Sequence, residues 1–426
     1  MDKLIIEGGY PLHGFVKISG AKNAALPLMA ASLLADGPLV LTNLPHLGDL
    51  KTMGKLLSHM GGTVTTSWES KNFNEEAILT MGGVNRPEAP HDLVKTMRAS
   101  ALVLGPLLTK FGKAVVSLPG GCAIGVRPID MHLKALKEMG ADFDLSGGDI
   151  IATTPPGGLK GASITFETIT VTGTENIMMA AVLAQGVTTI ANAAREPEVL
   201  DTGKALISMG AKIEGLGTDE IIITGVSSLK GTSYSVMPDR IECGTLIASV
   251  ALAGGEITIL GAPIFAIKAV QEKFGETGLS ITQDGDNLVV KKTDERLKST
   301  DITTLPHPGF PTDMQAQFMA AMALAEGVAI ITETIFENRF MHVSELKRLG
   351  ADISLEGRTA VVKGVPKLSG APLTASDLRA SASLLLAALA AQGTSSISRV
   401  YHLDRGYDRL DIKLNKLGAK ITRTQE

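Results

Sequence analysis

One glycine-rich stretch carries the residue type in this chain that is best suited to covalent chemistry. Residues 118–130 read LPGGCAIGVRPID and contain Cys122, one of only two cysteines among 426 residues. Three glycines predict an exposed, hinged loop, of the kind that closes over a ligand. Arg127 follows five residues later, and a nearby positive charge lowers the pKa of a thiol and makes it reactive. The local sequence leaves two interpretations open, a reactive thiol and a buried, inert cysteine.

Three other uses of this stretch are not supported. A phosphate-binding P-loop requires Lys-Ser/Thr after its last glycine, and this loop has none. His132 lies ten residues after the cysteine, and the eight histidines of the chain show no ligand spacing, so no metal site is predicted. A disulfide to Cys243 is not expected, because Cys243 belongs to the apolar segment IECGTLIASVAL and is predicted to be a core residue.

The scaffold that must hold this loop is a sixfold repeat. Each copy begins with a segment of 12–14 small and aliphatic residues, such as AALPLMAASLLADG, which we expect to form a helix. Each of these segments ends in a glycine, at which we expect the helix to close in the left-handed conformation. A β-rich run, a loop and a second, amphipathic helix follow. The glycines that end the first helix are Gly37, Gly112, Gly186, Gly255, Gly327 and Gly393. The glycines that end the second helix are Gly61, Gly140, Gly210, Gly278, Gly350 and Gly418.

The two helix types predict an unusual layering. The first helix is apolar nearly all round and is therefore expected to be buried on every side, whereas the second should lie on a surface. Buried helices with sheets outside them define an α/β fold. Six repeats are expected to divide three plus three into two α/β domains, with the junction near residues 232–238.

The loops of the repeats differ in their chemistry although the scaffold recurs. Basic residues occupy corresponding loop positions in a chain whose net charge is −4. Guanidinium groups suit carboxylates and phosphates, so an anionic ligand gripped between the domains is predicted. The eight basic residues are Lys22, Arg98, Arg127, Arg195, Arg240, Arg339, Arg379 and Arg405.

Composition excludes several classes of function. No block of like charges indicates a nucleic-acid partner or a polybasic membrane anchor. No apolar run reaches the roughly 18 residues that a membrane span needs, and the start MDKLIIEGGY does not have the pattern of a signal peptide. A cytoplasmic protein is expected, and no oligomer is implied.

Several long motifs, taken together, resemble one known family. SGAKNAALP, DLVKTMRAS, LPGGCAIGVRPID, NAAREPE, PDRIE, FPTDMQAQ, ENRFMHV, DLRASASL and DRGY occur in the order and spacing of the UDP-N-acetylglucosamine enolpyruvyl transferases, and the resemblance covers essentially the whole chain. It implies two inside-out α/β barrels, each of three βαβαββ repeats. The first domain would span residues 22–236 and carry the cysteine loop, and the second would combine 1–21 with 237–426.

The resemblance also implies a reaction. The family transfers the enolpyruvyl group of phosphoenolpyruvate to the 3′-hydroxyl of UDP-N-acetylglucosamine and releases phosphate, as the first committed step of peptidoglycan synthesis. Addition and elimination pass through a tetrahedral intermediate that bears the phosphate. No metal or organic cofactor is expected, and fosfomycin, an epoxide mimic of phosphoenolpyruvate, is expected to alkylate Cys122.

Residue roles follow from the matching motifs. The resemblance implies that Cys122 is the acid that protonates the methylene carbon and the site of a covalent adduct, with Arg405 as its partner. Asp313 is the implied base or positioner of the sugar hydroxyl, and Asp377 is a second candidate. The expected phosphate ligands are Lys22, Arg127 and Arg405, with Asn23 beside them; the expected carboxylate ligands are Arg339 and Arg379. Four of these residues are implied to be catalytic: Cys122, Asp313, Arg405 and Lys22.

The nucleotide sugar would lie against a second group of residues. These are Arg98, Arg127, Pro128, Ile129, Asp130 and Met131, together with the backbone of Ile335. The diphosphate would meet the segment ITVT at 169–172, through the backbone N–H groups of Val171 and Thr172. Some relatives carry a lysine where this chain has Thr168, which leaves the diphosphate contacts open.

Two other functions compete with this interpretation. The related transferase that acts on shikimate 3-phosphate resembles this chemistry but lacks the cysteine loop and the RPID segment. A catalytically inactive scaffold that binds nucleotide sugars is the second alternative, and the complete set of catalytic loops argues against it.

Overall fold

The computed structural model of the chain describes residues 2–68, 75–95, 97–117 and 129–425. The predicted site residues Cys122, Arg127 and Pro128 lie outside the described residues, as does the side chain of Arg98. The described chain forms two compact units. The C-terminal unit combines residues 2–19 with 238–425, and the N-terminal unit comprises the described residues between 20 and 237.

Short strands make up the sheets of both units. The chain opens with two strands of the C-terminal unit, β1 (Asp2–Glu7) and β2 (Leu12–Lys17). The strands of the N-terminal unit are β3 (Leu39–Thr42), β4 (Thr63–Thr66), β5 (Ala77–Thr80), β6 (Glu88–Ala89), β7 (Lys113–Ser117), β8 (Asp142–Ser146), β9 (Asp149–Thr153), β10 (Ser163–Thr165), β11 (Val187–Ala191), β12 (Lys212–Glu214), β13 (Glu220–Thr224) and β14 (Ser233–Ser235). The remaining strands of the C-terminal unit are β15 (Gly255–Leu260), β16 (Ser280–Asp284), β17 (Asn287–Lys291), β18 (Ile302–Thr303), β19 (Val328–Thr332), β20 (Asp352–Glu356), β21 (Thr359–Lys363), β22 (Pro372–Thr374), β23 (Thr394–Ser398) and β24 (Lys420–Gln425).

Helices alternate with these strands. Those of the N-terminal unit are α1 (Lys22–Ala31), α2 (Gly48–His59), α3 (His91–Val94), α4 (Leu104–Phe111), α5 (Asp130–Glu138), α6 (Val171–Ala181) and α7 (Pro197–Ser208). Those of the C-terminal unit are α8 (Arg240–Ala253), α9 (Lys268–Glu276), α10 (Gln315–Met322), α11 (Val343–Arg348), α12 (Leu378–Ala390), α13 (Tyr401–Asp404) and α14 (Leu410–Lys416). In the described ranges four 3₁₀ turns accompany them, at Ser32–Leu34, Arg98–Val103, Ile264–Ala266 and Thr312–Met314.

One sheet pattern recurs six times in the described chain. Each sheet has four strands, with one parallel pair followed by two antiparallel pairs, as in the order β6-β7-β9-β8. Three sheets belong to each unit. The N-terminal segment completes two sheets of the C-terminal unit, because β2 pairs in parallel with β15 and β1 lies between β23 and β24. The six-repeat, three-plus-three α/β prediction is confirmed.

The predicted layering is also present. The inner helices are α1, α4 and α6 in one unit and α8, α10 and α12 in the other. All eight residues of α10 are buried, and α8 and α12 are buried along nearly their whole length. The outer helices bury a single face, as α5 does with His132, Ala135 and Leu136. Helices therefore form the core of each unit, and the sheets lie outside them.

The outer helices end as predicted. All six closing glycines have φ between +94° and +109°, a region that favours glycine. In α2 the N–H of Gly61 donates to the carbonyl of Ser58 at 3.0 Å, and Gly62 donates to Leu57 at 3.0 Å. This pair of bonds is a Schellman motif, and it satisfies carbonyls that the helix end would otherwise leave unpaired.

The prediction for the inner helices was wrong at most of its glycines. Only Gly112 caps its helix directly, with φ +72° and a bond to Leu108. In α12 the helix ends at Ala390, the next residue is extended, and Gly393 takes φ +91° just before β23. In α6 and α10 the C-caps are Val182 and Ala323, each in the right-handed helical region and four residues before the predicted glycine. Most of these glycines therefore belong to the turn that enters the strand.

Candidate active site

Three predicted residues meet in the C-terminal unit around one carboxylate. Asp313 lies in the 3₁₀ turn that leads into α10, Arg379 is the second residue of α12, and Arg339 follows β19 in the chain. Arg339 Nη2 donates to Asp313 Oδ1 at 2.7 Å. Arg379 donates to Oδ2 from Nη2 at 3.0 Å and from Nε at 3.2 Å. The carboxylate therefore bridges two guanidinium groups.

Burial makes this cluster electrostatically strong. Arg339 is 5% exposed and Arg379 is 2% exposed, so water screens little of their charge. Burial by itself raises the pKa of Asp313, but the charges of Arg379 and Arg339 outweigh it and hold that pKa well below its ordinary value. Asp313 is therefore ionised near neutral pH, and the cluster carries a net positive charge that suits an anionic ligand.

Arg379 also packs against an aromatic ring. Its guanidinium lies 5.2 Å from the centre of the Tyr407 ring, within the range of a cation–π contact. The Tyr407 hydroxyl is held by Thr245 at 2.9 Å and by the Gln317 side-chain amide at 3.0 Å. The DRGY motif thus reaches the cluster through its tyrosine, a contact that the sequence analysis missed.

Asp377 and Arg405 also belong to the C-terminal unit. Asp377 is the N-cap of α12, where its Oδ1 accepts from the N–H groups of Arg379 at 2.9 Å and Ala380 at 3.0 Å. That capping contact gives Asp377 a structural task and fixes the first turn that carries Arg379. Arg405 is exposed and follows α13, two residues before Tyr407.

The N-terminal unit holds the other predicted anion ligands. Lys22 begins α1, is 8% exposed, and its ammonium lies 3.5 Å from Asp49 Oδ2 at the start of α2. Asn23 is the next residue and is exposed. Arg98 begins a 3₁₀ turn, and its side chain is outside the described part of the chain.

The start of α6 matches the predicted diphosphate segment. Val171 and Thr172 are its first two residues, and Thr170 caps it by accepting from the Gly173 N–H at 3.2 Å. The amide groups of a helix N-terminus favour anions. Thr168, where some relatives carry a lysine, is exposed and donates its hydroxyl to the sulfur of Met131 at 3.5 Å.

A buried histidine ties this helix to α5. Asn176 Nδ2 donates to His132 Nδ1 at 2.9 Å, and His132 Nε2 lies 3.4 Å from the Thr172 hydroxyl. Burial lowers the pKa of His132 to about 4, so the ring is neutral at pH 7. His132 follows the predicted nucleotide segment, of which Ile129 is half-buried, Asp130 is exposed and Met131 is half-buried. The histidine thus links that segment to α6.

The second cysteine is a core residue. Cys243 is fully buried in α8 and free of any disulfide, as the sequence predicts. Burial, with smaller contributions from Glu242 and Asp239, raises the pKa of its thiol. Among the described residues, no group of three or more His, Cys, Asp or Glu side chains is arranged to hold a metal ion. None of the helices in the described ranges is long and apolar enough to cross a membrane.

Comparison with solved structures defines the class. The chain superposes with a TM-score of 0.90 on the enolpyruvyl transferase NikO from Streptomyces tendae, at 26% identity over 100% of this chain and 99% of that one. EPSP synthase from Acinetobacter baumannii matches at a TM-score of 0.75 and 19% identity, over 100% of both chains, which is a likeness of fold. The fold is that of the enolpyruvyl transferases.

Sequence comparison narrows the class to a family. Residues 6–422 match the family model described as EPSP synthase (3-phosphoshikimate 1-carboxyvinyltransferase). A UDP-N-acetylglucosamine 1-carboxyvinyltransferase of Anaeromyxobacter sp. (strain K) is 56% identical over 100% of both chains. Enzymes of the same name from Nitratidesulfovibrio vulgaris (strain DP4) and Myxococcus xanthus are 54% and 55% identical, over 100% and 99% of both chains respectively. The chain belongs to the UDP-N-acetylglucosamine 1-carboxyvinyltransferase family of enolpyruvyl transferases.

Proposed function

We propose that this chain transfers the enolpyruvyl group of phosphoenolpyruvate to the 3′-hydroxyl of UDP-N-acetylglucosamine and releases phosphate. The observation that carries the chemistry is the Asp313 carboxylate held between two buried guanidinium groups. The choice of acceptor is supported by full-length relatives at 54–56% identity that bear this activity in their names. The reaction is the first committed step of peptidoglycan synthesis in a cytoplasmic enzyme, and it therefore serves cell shape and division.

Phosphoenolpyruvate carries up to three negative charges in a small volume, so its binding site needs several cations. Arg339 and Arg379 bind its carboxylate, and their burial favours a charge-assisted bidentate contact. Lys22 and Arg405 bind its phosphate, with Arg127 from the undescribed loop and Asn23 beside them. Competition between the substrate carboxylate and Asp313 for the two guanidiniums raises the pKa of Asp313 when substrate binds.

Asp313 then acts on the sugar hydroxyl. In the free protein its pKa is held too low for it to be an effective base, but it can still accept a hydrogen bond and orient the hydroxyl. Once the substrate shares its two arginines, Asp313 is able to take the hydroxyl proton as attack proceeds. Asp313 is thus a positioner first and a base only in the complete complex.

The chemical steps balance as an addition and an elimination. Cys122 gives a proton to the methylene carbon, which becomes a methyl group, while the sugar oxygen bonds to the adjacent carbon. The resulting tetrahedral intermediate carries both the phosphate and the sugar. The methyl group then loses a proton to the Cys122 thiolate, and cleavage of the carbon–oxygen bond to phosphate restores the double bond. The released phosphate carries away the proton that was taken from the sugar hydroxyl. Arg405 is the partner of Cys122 in the proton transfer.

The nucleotide sugar has three groups of proposed contacts: the start of α6, the backbone of Ile335, and the segment 127–131 with Arg98. The diphosphate contacts the backbone N–H groups of Val171 and Thr172 at the start of α6. The N–H of Ile335 already donates to Glu333 at 2.8 Å, so its backbone contact to the sugar uses the carbonyl oxygen. The nucleotide lies against the segment 127–131 and Arg98. In this proposal the two domains span 22–236 and 1–21 plus 237–426.

The direct test is phosphate release with each acceptor. The purified chain is given phosphoenolpyruvate with UDP-N-acetylglucosamine, and in a second reaction with shikimate 3-phosphate. Phosphate release only in the first reaction supports the proposal. Release only in the second would assign the chain to the shikimate reaction. Binding of the nucleotide sugar without any release would indicate an inactive scaffold.

A further inference from the structure

A buried carboxylate outside the predicted site holds two parts of that site in place. Glu333 follows β19 directly and is 1% exposed. Its Oε1 accepts from the Thr304 hydroxyl at 2.9 Å, from the Ile335 N–H at 2.8 Å and from the Phe336 N–H at 3.1 Å. Its Oε2 accepts from the Thr312 hydroxyl at 2.8 Å. All four partners are donors, so the group fits as an acceptor-only carboxylate.

The first branch of this network fixes the loop that carries Ile335. Two successive backbone amides donate to the same Glu333 oxygen. Thr304 strengthens the arrangement, because its hydroxyl donates to Glu333 and accepts from the Thr334 N–H at 2.9 Å. Residues 334–336 are therefore tied to one buried anchor.

The second branch fixes the turn that carries Asp313. The Thr312 hydroxyl donates to Glu333 and accepts from Arg339 Nη1 at 3.3 Å. Arg339 in turn donates to Asp313 at 2.7 Å. An amide in place of the Glu333 carboxylate would present a donor to Thr312, whose own proton would lose its acceptor. The orientation of Thr312 and Arg339 therefore depends on a carboxylate at this position.

We propose that Glu333 is a positioning residue that sets the Ile335 loop for the nucleotide sugar and the Asp313–Arg339 pair for the chemical step. In this proposal it holds the two segments through the Ile335 and Phe336 amides and through Thr304 and Thr312, without a substrate contact of its own. The inference rests on the proposed function, because it assigns these two segments to binding and to chemistry. Misplacement of a reacting group by about 1 Å can cost on the order of 100-fold in rate, so an anchor of this kind matters.

The two branches can be separated by two conservative substitutions. Thr304→Val removes the hydroxyl that donates to Glu333 and accepts from the Thr334 N–H. It should weaken binding of UDP-N-acetylglucosamine by about tenfold, as the loss of these buried hydrogen bonds implies, with kcat little changed. Thr312→Val should lower kcat by a similar factor and leave nucleotide-sugar binding nearly intact. Glu333→Gln should do both. Calorimetric binding and steady-state phosphate release measure the two effects.

A matched control comes from the same unit. Glu345 belongs to the outer helix α11, and its Oε2 accepts from the Thr374 N–H at 2.9 Å. Glu345→Gln therefore also replaces a carboxylate that accepts a backbone N–H, and it should leave the nucleotide-sugar affinity and kcat within about twofold. The inference is overturned if folded Glu333→Gln keeps both constants, or if the two threonine variants change them in parallel. The proposed function fails separately if the wild-type chain binds the nucleotide sugar but releases no phosphate. In that case the effects of Thr304→Val and Glu333→Gln on nucleotide-sugar binding would still test whether Glu333 anchors the Ile335 loop.

Discussion

Asp313 shows how two cations change what one carboxylate can do. An isolated buried aspartate would be protonated more readily than in water, whereas Asp313 has the opposite shift because Arg339 and Arg379 lie within hydrogen-bonding distance. Removing the negative charge would leave two buried guanidiniums without the carboxylate that bridges them. The residue is therefore both a chemical group and the charge that keeps its neighbours together.

We expect Asp313→Asn to abolish measurable turnover and to leave binding of UDP-N-acetylglucosamine detectable. The amide cannot take the hydroxyl proton and cannot balance the two arginines. Phosphate release and calorimetric binding are the measurements. Asp301→Asn is the control, because Asp301 Oδ1 accepts from the Ile330 N–H at 2.7 Å on an exposed part of the same unit. Turnover of Asp313→Asn close to the wild-type rate would remove Asp313 from the mechanism.

The sequence predicts these residues one at a time and not their contacts. Asp313, Arg339 and Arg379 each lie in a recognisable motif. Arg339 follows Asp313 by 26 residues and Arg379 follows it by 66, so the three meet only through the fold. Glu333 was missed, although a glutamate at the end of the apolar run VAIITETI is an unusual buried position and was a usable signal. The role of Tyr407 in DRGY could not be predicted, because a ring that packs against a guanidinium has no characteristic spacing in the sequence.

At the scale of the elements, the repeat could be predicted because each helix type has its own pattern. Apolar residues on every side predict the buried α8, α10 and α12, and a single apolar face predicts the outer helices. The Schellman glycines could be predicted because a positive φ strongly favours glycine. The ends of the inner helices could not, since a glycine in the following turn has the same sequence signal as a glycine cap.

One glycine inside α9 and one just after its C-cap provide a matched test of how the helix ends. Gly278 closes the helix at φ +94°, and Gly278→Ala should lower the free energy of unfolding by about 1 kcal/mol. Gly275 lies inside the helix with no atom within 4 Å of an added Cβ, so Gly275→Ala should raise the free energy of unfolding by roughly 0.5–1 kcal/mol. Urea unfolding of both variants measures the difference. Equal effects of the same sign would contradict the assigned cap.

At the scale of the whole molecule, the two cysteines should differ in reactivity. Cys243 is fully buried and burial raises the pKa of its thiol, so it is protected from electrophiles. Cys122 belongs to a glycine-rich loop beside an arginine in the sequence. The fold thus protects Cys243, and Cys122 is the thiol that we propose to be reactive.

We expect fosfomycin to inactivate the enzyme by forming a single adduct at Cys122. The thiolate opens the epoxide by bonding to one of its carbons, and the ring oxygen takes up a proton. Mass spectrometry of the labelled peptides locates the adduct. The Cys243→Ala variant should still be labelled, and the Cys122→Ser variant should not be. A label on Cys243 in the folded protein would contradict the assignment of the reactive thiol.

The product that the chain makes from its two substrates distinguishes the proposed reaction from its alternatives. The most direct measurement is mass spectrometry, with NMR of the sugar, on the nucleotide product formed from phosphoenolpyruvate and UDP-N-acetylglucosamine when shikimate 3-phosphate is also present. We predict an enolpyruvyl ether at the 3′-oxygen of the nucleotide sugar, formed in a one-to-one ratio with phosphate, and unchanged shikimate 3-phosphate. An unmodified nucleotide sugar beside enolpyruvylated shikimate 3-phosphate would contradict it.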